Sequence, residues 1–333
     1  MRDYEKKIRL DEIDKAKGLA ILLVVIGHIV ARNPPQNNEW YVMLKFLIYK
    51  FHMPFFMFLS GLIIQYSTST INNFIDYKTF VVKKAFRLLP GFFLFGGLIL
   101  VGKSLAVHFM YVDRPPESFV SGVINMFLDP RKSASSSIWY IYILMQYCLV
   151  FPLISYALDK KSVYFFILCI IVYYTPTVRH FMLDVFFEYL IFFSLGVFWA
   201  MNYNSYKQII CRYSAVFIIL FAISFISINY SNSITSKLII GLFSIPAIQA
   251  LISMNPLNKL WQLSFLGLYT YPIYLMNTIT IGVTKGAVLK ITSWDGYNFM
   301  VIFPLLLVAG LLFPILIKRY IFSRIQIIDR ITN

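Results

Sequence analysis

The sequence predicts an all-α integral membrane protein, a bundle of about ten transmembrane helices with both termini cytoplasmic. Three observations lead there. Apolar residues make up 59% of the chain and charged residues only 14%, against roughly a quarter charged in soluble domains. Apolar runs long enough to cross a hydrocarbon core of ~30 Å recur along the whole length. The basic residues fall mostly between those runs, as the positive-inside rule places them in cytoplasmic loops. A water-soluble fold would leave the runs exposed, and a net charge of +15 distributed in this way marks loops facing lipid headgroups, not a nucleic-acid surface.

The expected spans are 13–31, 41–65, 88–110, 138–158, 162–176, 184–202, 213–230, 238–254, 263–281 and 299–318. The fifth is short because Pro176 interrupts it. Trp40, Tyr41, Tyr111, Trp139 and Tyr140 fall at span edges, where amphipathic rings favour the headgroup layer. With the N-terminus inside, the outer loops hold only Arg32, Arg114, Arg131, Lys132, Arg179, Lys237, Lys285 and Lys290. Lys45, Lys50 and Lys103 lie within spans, and the rest of the 30 Lys and Arg are cytoplasmic. The plasma (inner) membrane and a multi-pass topology follow as expectations. The longest outer loop, 111–137, carries Pro115–Pro116 and the run Ser133 to Ser137. No long linker divides the chain, so residues 1–333 read as a single transmembrane domain, and no cleavable signal peptide is expected. Cys148, Cys169 and Cys211 are widely spaced, which suits small buried side chains and offers no metal or disulfide framework.

Ionisable residues within spans are costly and face a cavity or a partner. Span 1 carries Asp14, Lys17 and His28. Lys17 and His28 are close to three helical turns apart, about 16 Å along one face, with Asp14 a turn before Lys17. Lys17 either snorkels to the headgroups or serves a cavity. His28 is either a satisfied structural histidine or a general base, since imidazole accepts a proton near neutral pH. Span 2 carries His52, Pro54 and the pair Ser60–Gly61, which also suits close helix packing. The stretch Lys83-Lys84-Ala-Phe-Arg87-Leu-Leu-Pro90 places Lys84 and Arg87 on one helix face, a pair suited to phosphate groups or headgroups.

Together these pieces resemble the membrane-bound acyltransferase 3 family, in particular its fucose 4-O-acetylase-like and polysaccharide O-acetyltransferase branch. The matching elements are Asp14, Lys17, Gly18 and Gly27-His28; Phe51-His52-Met53-Pro54 through Ser60-Gly61; and Lys84…Arg87-Leu-Leu-Pro90. Trp139 through Pro152 and Leu268 through Asn277 are similar to later family motifs. The resemblance implies transfer of an acyl group, usually acetyl from acetyl-CoA, to a sugar hydroxyl of a cell-envelope polysaccharide or its lipid-linked precursor. By that resemblance His28 is the family's essential histidine, with His52 assisting. Lys17, where many members have arginine, Lys84 and Arg87 hold the CoA phosphates. Asp14, Ser60, Trp139 and Asn277 are supporting residues. Two departures stand out: Leu144-Met145-Gln146 where many relatives have a glutamate-containing stretch, and Asn277 where relatives often have histidine.

The expected partners are therefore an acyl-CoA donor, a lipid-linked sugar or polysaccharide acceptor, and membrane lipids, with no permanently bound cofactor, no metal and no nucleic acid. The expected path runs from a basic cytoplasmic mouth along the polar face of span 1 to His28. The alternative is a polysaccharide transporter, which also uses intramembrane ionisable residues but is commonly built from internal repeats. Here the ionisable motifs crowd into spans 1 to 3 with no clear echo later.

Overall fold

A computed structural model describes residues 11–30, 33–110, 112, 115–228, 233–253 and 260–332. Tyr111, Arg32, Arg114, Lys259 and the basic residues before position 11 lie outside the described residues. The secondary structure is helical throughout: α1 (Asp11–His28), α2 (Glu39–Tyr49), α3 (His52–Ser67), α4 (Phe74–Ala106), α5 (Phe119–Leu128), α6 (Trp139–Tyr174), α7 (Leu183–Met201), α8 (Tyr203–Arg212), α9 (Ser214–Ile228), α10 (Ile234–Ser253), α11 (Trp261–Leu268), α12 (Thr270–Val288), α13 (Gly296–Tyr320) and α14 (Gln326–Ile331). Among the described residues, six helical runs are long and apolar enough to cross a membrane, or seven if α8 and α9, bent by 76°, form one broken span. The chain is an all-α membrane protein.

Five of the expected spans differ from the helices found. Span 2 is broken at Lys50–Phe51 into α2 and α3. The cause is Pro54, whose ring excludes a helical carbonyl four residues earlier, at Lys50. The helix over span 3 begins at Phe74, not at 88, so the basic pair shares one continuous helix with the span it was expected to precede. Asn73 caps its start by accepting from the Asp76 N–H at 2.9 Å. Spans 4 and 5 form the single run α6, turned at Lys161 (φ −145°, ψ 47°). Trp139 near its start and Tyr173 near its end both border Tyr189 of α7, so the run doubles back at that residue. Span 9 is divided at Tyr269 into α11 and α12 and extends to Val288.

Helix contacts sort the loops into two ends. At one, Glu12 pairs with Lys207 at 3.0 Å, Ser264 donates to Asp11 at 2.7 Å, and Tyr66 meets the Tyr203 ring. At the other, the Gly296 N–H donates to the Gln36 carbonyl, Trp294 donates to the Asn33 carbonyl, and Arg131 pairs with Asp184. The first end is called basal below.

α1 sits at the centre, packed against α11, α12, α3, α10, α13 and α2. Small residues permit its closest crossing: a Cβ on Gly18 would lie 1.9 Å from the Leu263 carbonyl oxygen, and one on Gly267 2.0 Å from that of Asp14. α3 and α7 make a similar crossing through Gly61 and Gly196, the use of small residues expected between membrane helices.

Candidate active site

His28 ends α1 and meets α12 there. Its Nδ1 lies 2.8 Å from Oδ1 of Asn277. The orientation of that amide is fixed by its other end, because Nδ2 donates to the Ile273 carbonyl at 2.8 Å and the Tyr274 carbonyl at 2.9 Å. Oδ1 therefore faces His28 as an acceptor, and Nδ1 carries the donated hydrogen. In the neutral ring this leaves the lone pair on Nε2, the atom a general base uses. Asn277 is fully buried, whereas His28 keeps part of its surface open.

The end of a helix leaves carbonyls without partners, and α2 satisfies those around His28. Tyr41 donates to the Ile26 carbonyl at 2.7 Å and accepts from the Val30 N–H at 3.2 Å. Tyr49 donates to the Gly27 carbonyl at 3.2 Å, and Lys45 donates to the Val30 carbonyl. The Lys45 ammonium at the C-terminal end of α1 also complements the helix dipole. Tyr41, Lys45 and Tyr49 recur every four residues and so share one face of α2. That spacing was readable in the sequence, but its partner helix was not. Gly27 is required for the fit, since a Cβ there would lie 2.7 Å from the Tyr49 ring.

His52 does not hydrogen-bond to His28. Its Nδ1 donates to the Ile48 carbonyl at 2.8 Å, bridging the break between α2 and α3, and its ring lies 4.8 Å from that of Tyr49. His52 is thus joined to the end of α1 through Tyr49.

The basal end of α1 is densely ion-paired. Lys17 donates to Asp14 at 2.9 Å, and Lys15 pairs with Asp11. Hydrogen bonds from Lys15 and then Ser264 hold the Asp11 carboxyl below the usual range. Between Lys17 and His28, the stripe on α1 consists of Ile21, Val24 and Val25, all buried. The expected polar face along span 1 is therefore absent. These positions pack the central helix into its neighbours, so apolar side chains fill them.

Polar continuity runs along α12 instead. Tyr271 donates to the Arg87 and Leu88 carbonyls. Tyr274, one turn on, accepts from the Tyr140 N–H and donates to the Ser137 carbonyl at 2.9 Å. Tyr140 shares a hydrogen bond with Ser60, whose hydroxyl also donates to the Phe56 carbonyl at 2.7 Å. Asn277 follows and holds His28. From Tyr271 to Asn277 is about 9 Å of helix rise. Arg87, Ser60 and His28 are thereby brought to one side of α12. Lys84 lies apart from this line, with its ammonium 5.5 Å from the Phe80 ring centre. Trp139 adjoins Tyr140 in the chain and packs on Tyr189, with ring centres 5.8 Å apart. Gln146 donates to the Phe181 carbonyl at 2.8 Å. Among the described residues, no group of three or more His, Cys, Asp or Glu is placed to hold a metal ion.

Sequence reasoning passed over Tyr271, Tyr274 and Tyr140 as members of this line. Their signal was the spacing Tyr271, Tyr274, Asn277 on one helix, which needs knowledge of what lies opposite.

The chain matches the family model described as an acyltransferase domain over residues 10–319. Neither the curated proteins nor the solved structures give a match.

Proposed function

Because the chain belongs to the acyltransferase 3 family, we propose that it moves acetyl from cytosolic acetyl-CoA to a sugar hydroxyl of a cell-envelope polysaccharide or its lipid-linked precursor. It is a membrane acyltransferase; the donor, the acceptor and the inner-membrane location are our reading. That reading includes a ten-span path with both termini cytoplasmic, so the basal end faces the cytosol.

The observation that carries it is the hydrogen bond between His28 and the buried Asn277. It fixes the ring with Nδ1 donating, so that in the neutral imidazole Nε2 carries the lone pair, the arrangement a base needs to deprotonate a hydroxyl. The acceptor oxygen bonds to the thioester carbonyl carbon as His28 Nε2 takes the hydroxyl proton. The carbon–sulfur bond then breaks, and the CoA sulfur takes that proton from the imidazolium. Asn277 orients the ring as the asparagine of a Cys-His-Asn site does. Arg87, with Lys84 and Lys17 nearer the cytosol, holds the CoA phosphates. The pantetheine arm follows the α12 line of Tyr271 and Tyr274, which offers polar groups between Arg87 and His28, whereas the α1 stripe of Ile21, Val24 and Val25 offers none. His52 supports the site through Tyr49.

The test is mass spectrometry of envelope glycans from cells with the chain, without it, and with His28→Ala. Loss of one acetyl mass per modified sugar in both altered strains is the expected result. Unchanged glycan whose export has stopped would favour transport instead.

A further inference from the structure

A second polar site lies on the far side of Tyr49 from His28. A cavity of about 210 Å³ opens between the starts of α7 and α10 and the end of α6, with Lys50 and Tyr49 among its walls. Glu188 lies 4.0 Å from Lys237, and the buried Lys50 lines the same cavity. Among the described lining residues, two lysines and one glutamate give a formal charge of +1. The neighbouring ionic cluster does not offset it: Arg131 and Lys132 stand against Asp129 and Asp184, a balanced set. Tyr173 and Tyr189 add aromatic faces and hydroxyls. Aromatic walls with a few convergent polar groups are the usual make-up of a small-molecule site. Tyr49 joins this cavity to the reaction centre, since its hydroxyl donates to Gly27, the residue before His28.

We propose that this cavity binds the acceptor, and that the acceptor carries an anionic group held by Lys50 and Lys237. The inference rests on the acyl-transfer reading and adds a substrate class to it. A sugar ring packs on the tyrosines with its anionic substituent between the lysines. Glu188 accepts hydrogen bonds from ring hydroxyls and limits the net charge to a single positive unit, suited to a monoanion. The anion is a carboxylate, as in a uronic acid, or a phosphodiester, as in a phosphate-linked glycan.

The experiment uses the full chain in lipid nanodiscs and three probes: a glucuronic-acid-containing tetrasaccharide, a phosphodiester-linked disaccharide, and a neutral tetrasaccharide. Binding is followed by saturation-transfer NMR. At least one anionic probe is expected to bind about tenfold or more tightly than the neutral one, the scale of one charge-assisted contact. Lys237→Gln, at a half-exposed position, should remove most of that preference, and Lys50→Gln the same. Glu188→Gln should strengthen anionic binding, a change of sign that general loss of structure cannot produce. Equal binding of all probes, no binding of either anionic probe, or indifference to Lys237→Gln would overturn the proposal. Which anionic probe binds separates carboxylate from phosphodiester. Anionic binding that follows these variants, with no acetyl transfer from acetyl-CoA, would sink the acyl-transfer reading and leave the site standing. Acetyl transfer to neutral acceptors with indifference to Lys237→Gln would do the reverse.

Discussion

At the scale of single residues, the reading turns on which atom of His28 is left to react. Asn277 supplies an acceptor without a charge, so it fixes the ring and leaves its basicity to the surroundings. Replacing it by aspartate places a carboxylate against Nδ1 and favours the imidazolium. The base works only when neutral, so the acid limb of the kcat/KM profile should move to higher pH in Asn277→Asp. Asn277→Ala should slow transfer by about 10- to 100-fold, the effect typical of losing a group that orients a reactive histidine. Asn277→His, whose ring nitrogen can also accept from Nδ1 of His28, should retain activity. An unmoved pH profile in Asn277→Asp would show that the contact is purely structural. Gly27→Ala should destabilise by about 1–3 kcal/mol through overpacking against Tyr49, read as a lower thermal midpoint in detergent. Much at this scale was legible. His28 and the Asp14–Lys17 neighbours stood out because ionisable groups are conspicuous in apolar runs, whereas Asn277 was named only through the family resemblance. Their partners did not stand out, since His28 and Asn277 lie 249 positions apart and periodicity within one helix says nothing about what faces it.

At the scale of elements, α1 is held by two devices of different kinds. Its basal half crosses α11 closely through Gly18 and Gly267, and its far end is capped by the tyrosines and lysine of α2. Gly267→Val would drive a side chain into the Asp14 carbonyl, and the expected outcome is little folded protein by size-exclusion of detergent extracts. Tyr41→Phe leaves the Ile26 carbonyl and Val30 N–H without their partner. It should cost about 1–3 kcal/mol, the penalty for unmaking a buried hydrogen bond, with a matching fall in thermal midpoint. The apolar runs marked where helices lie, but several boundaries moved for identifiable reasons. The basic residues at 83–87 precede the expected start of span 3, yet α4 carries them on one continuous helix, about 14 to 20 Å past its start at Phe74. Positive charge reports proximity to headgroups, not where a helix begins. Pro54 was visible as a helix breaker, and the break falls at the residue its ring excludes.

For the whole molecule, the two ends defined by loop contacts match the two sides proposed from charge. Cys211 on α8 is exposed at the basal end, whereas Cys148 and Cys169 are buried. A membrane-impermeant maleimide applied to intact cells should leave Cys211 unlabelled and label Lys237→Cys. Inverted vesicles should reverse both results. Labelling of Cys211 from outside would invert the topology and put the donor and acceptor on the wrong ends. On the proposed orientation, the α12 line leads to His28 from the side where Arg87, Lys84 and Lys17 are proposed to hold the CoA phosphates, and the cavity beside Tyr49 is proposed to bring the acceptor from the other side. The family match over 10–319 makes acyl transfer the activity, and the meeting of these two approaches at one histidine is what the activity needs. The most direct measurement is acetyl transfer from radiolabelled acetyl-CoA in membranes holding equal amounts of the unaltered chain and His28→Ala. Loss of a general base should lower the rate by about 10²- to 10⁴-fold; an undiminished rate in His28→Ala would contradict the assignment of His28 as the base.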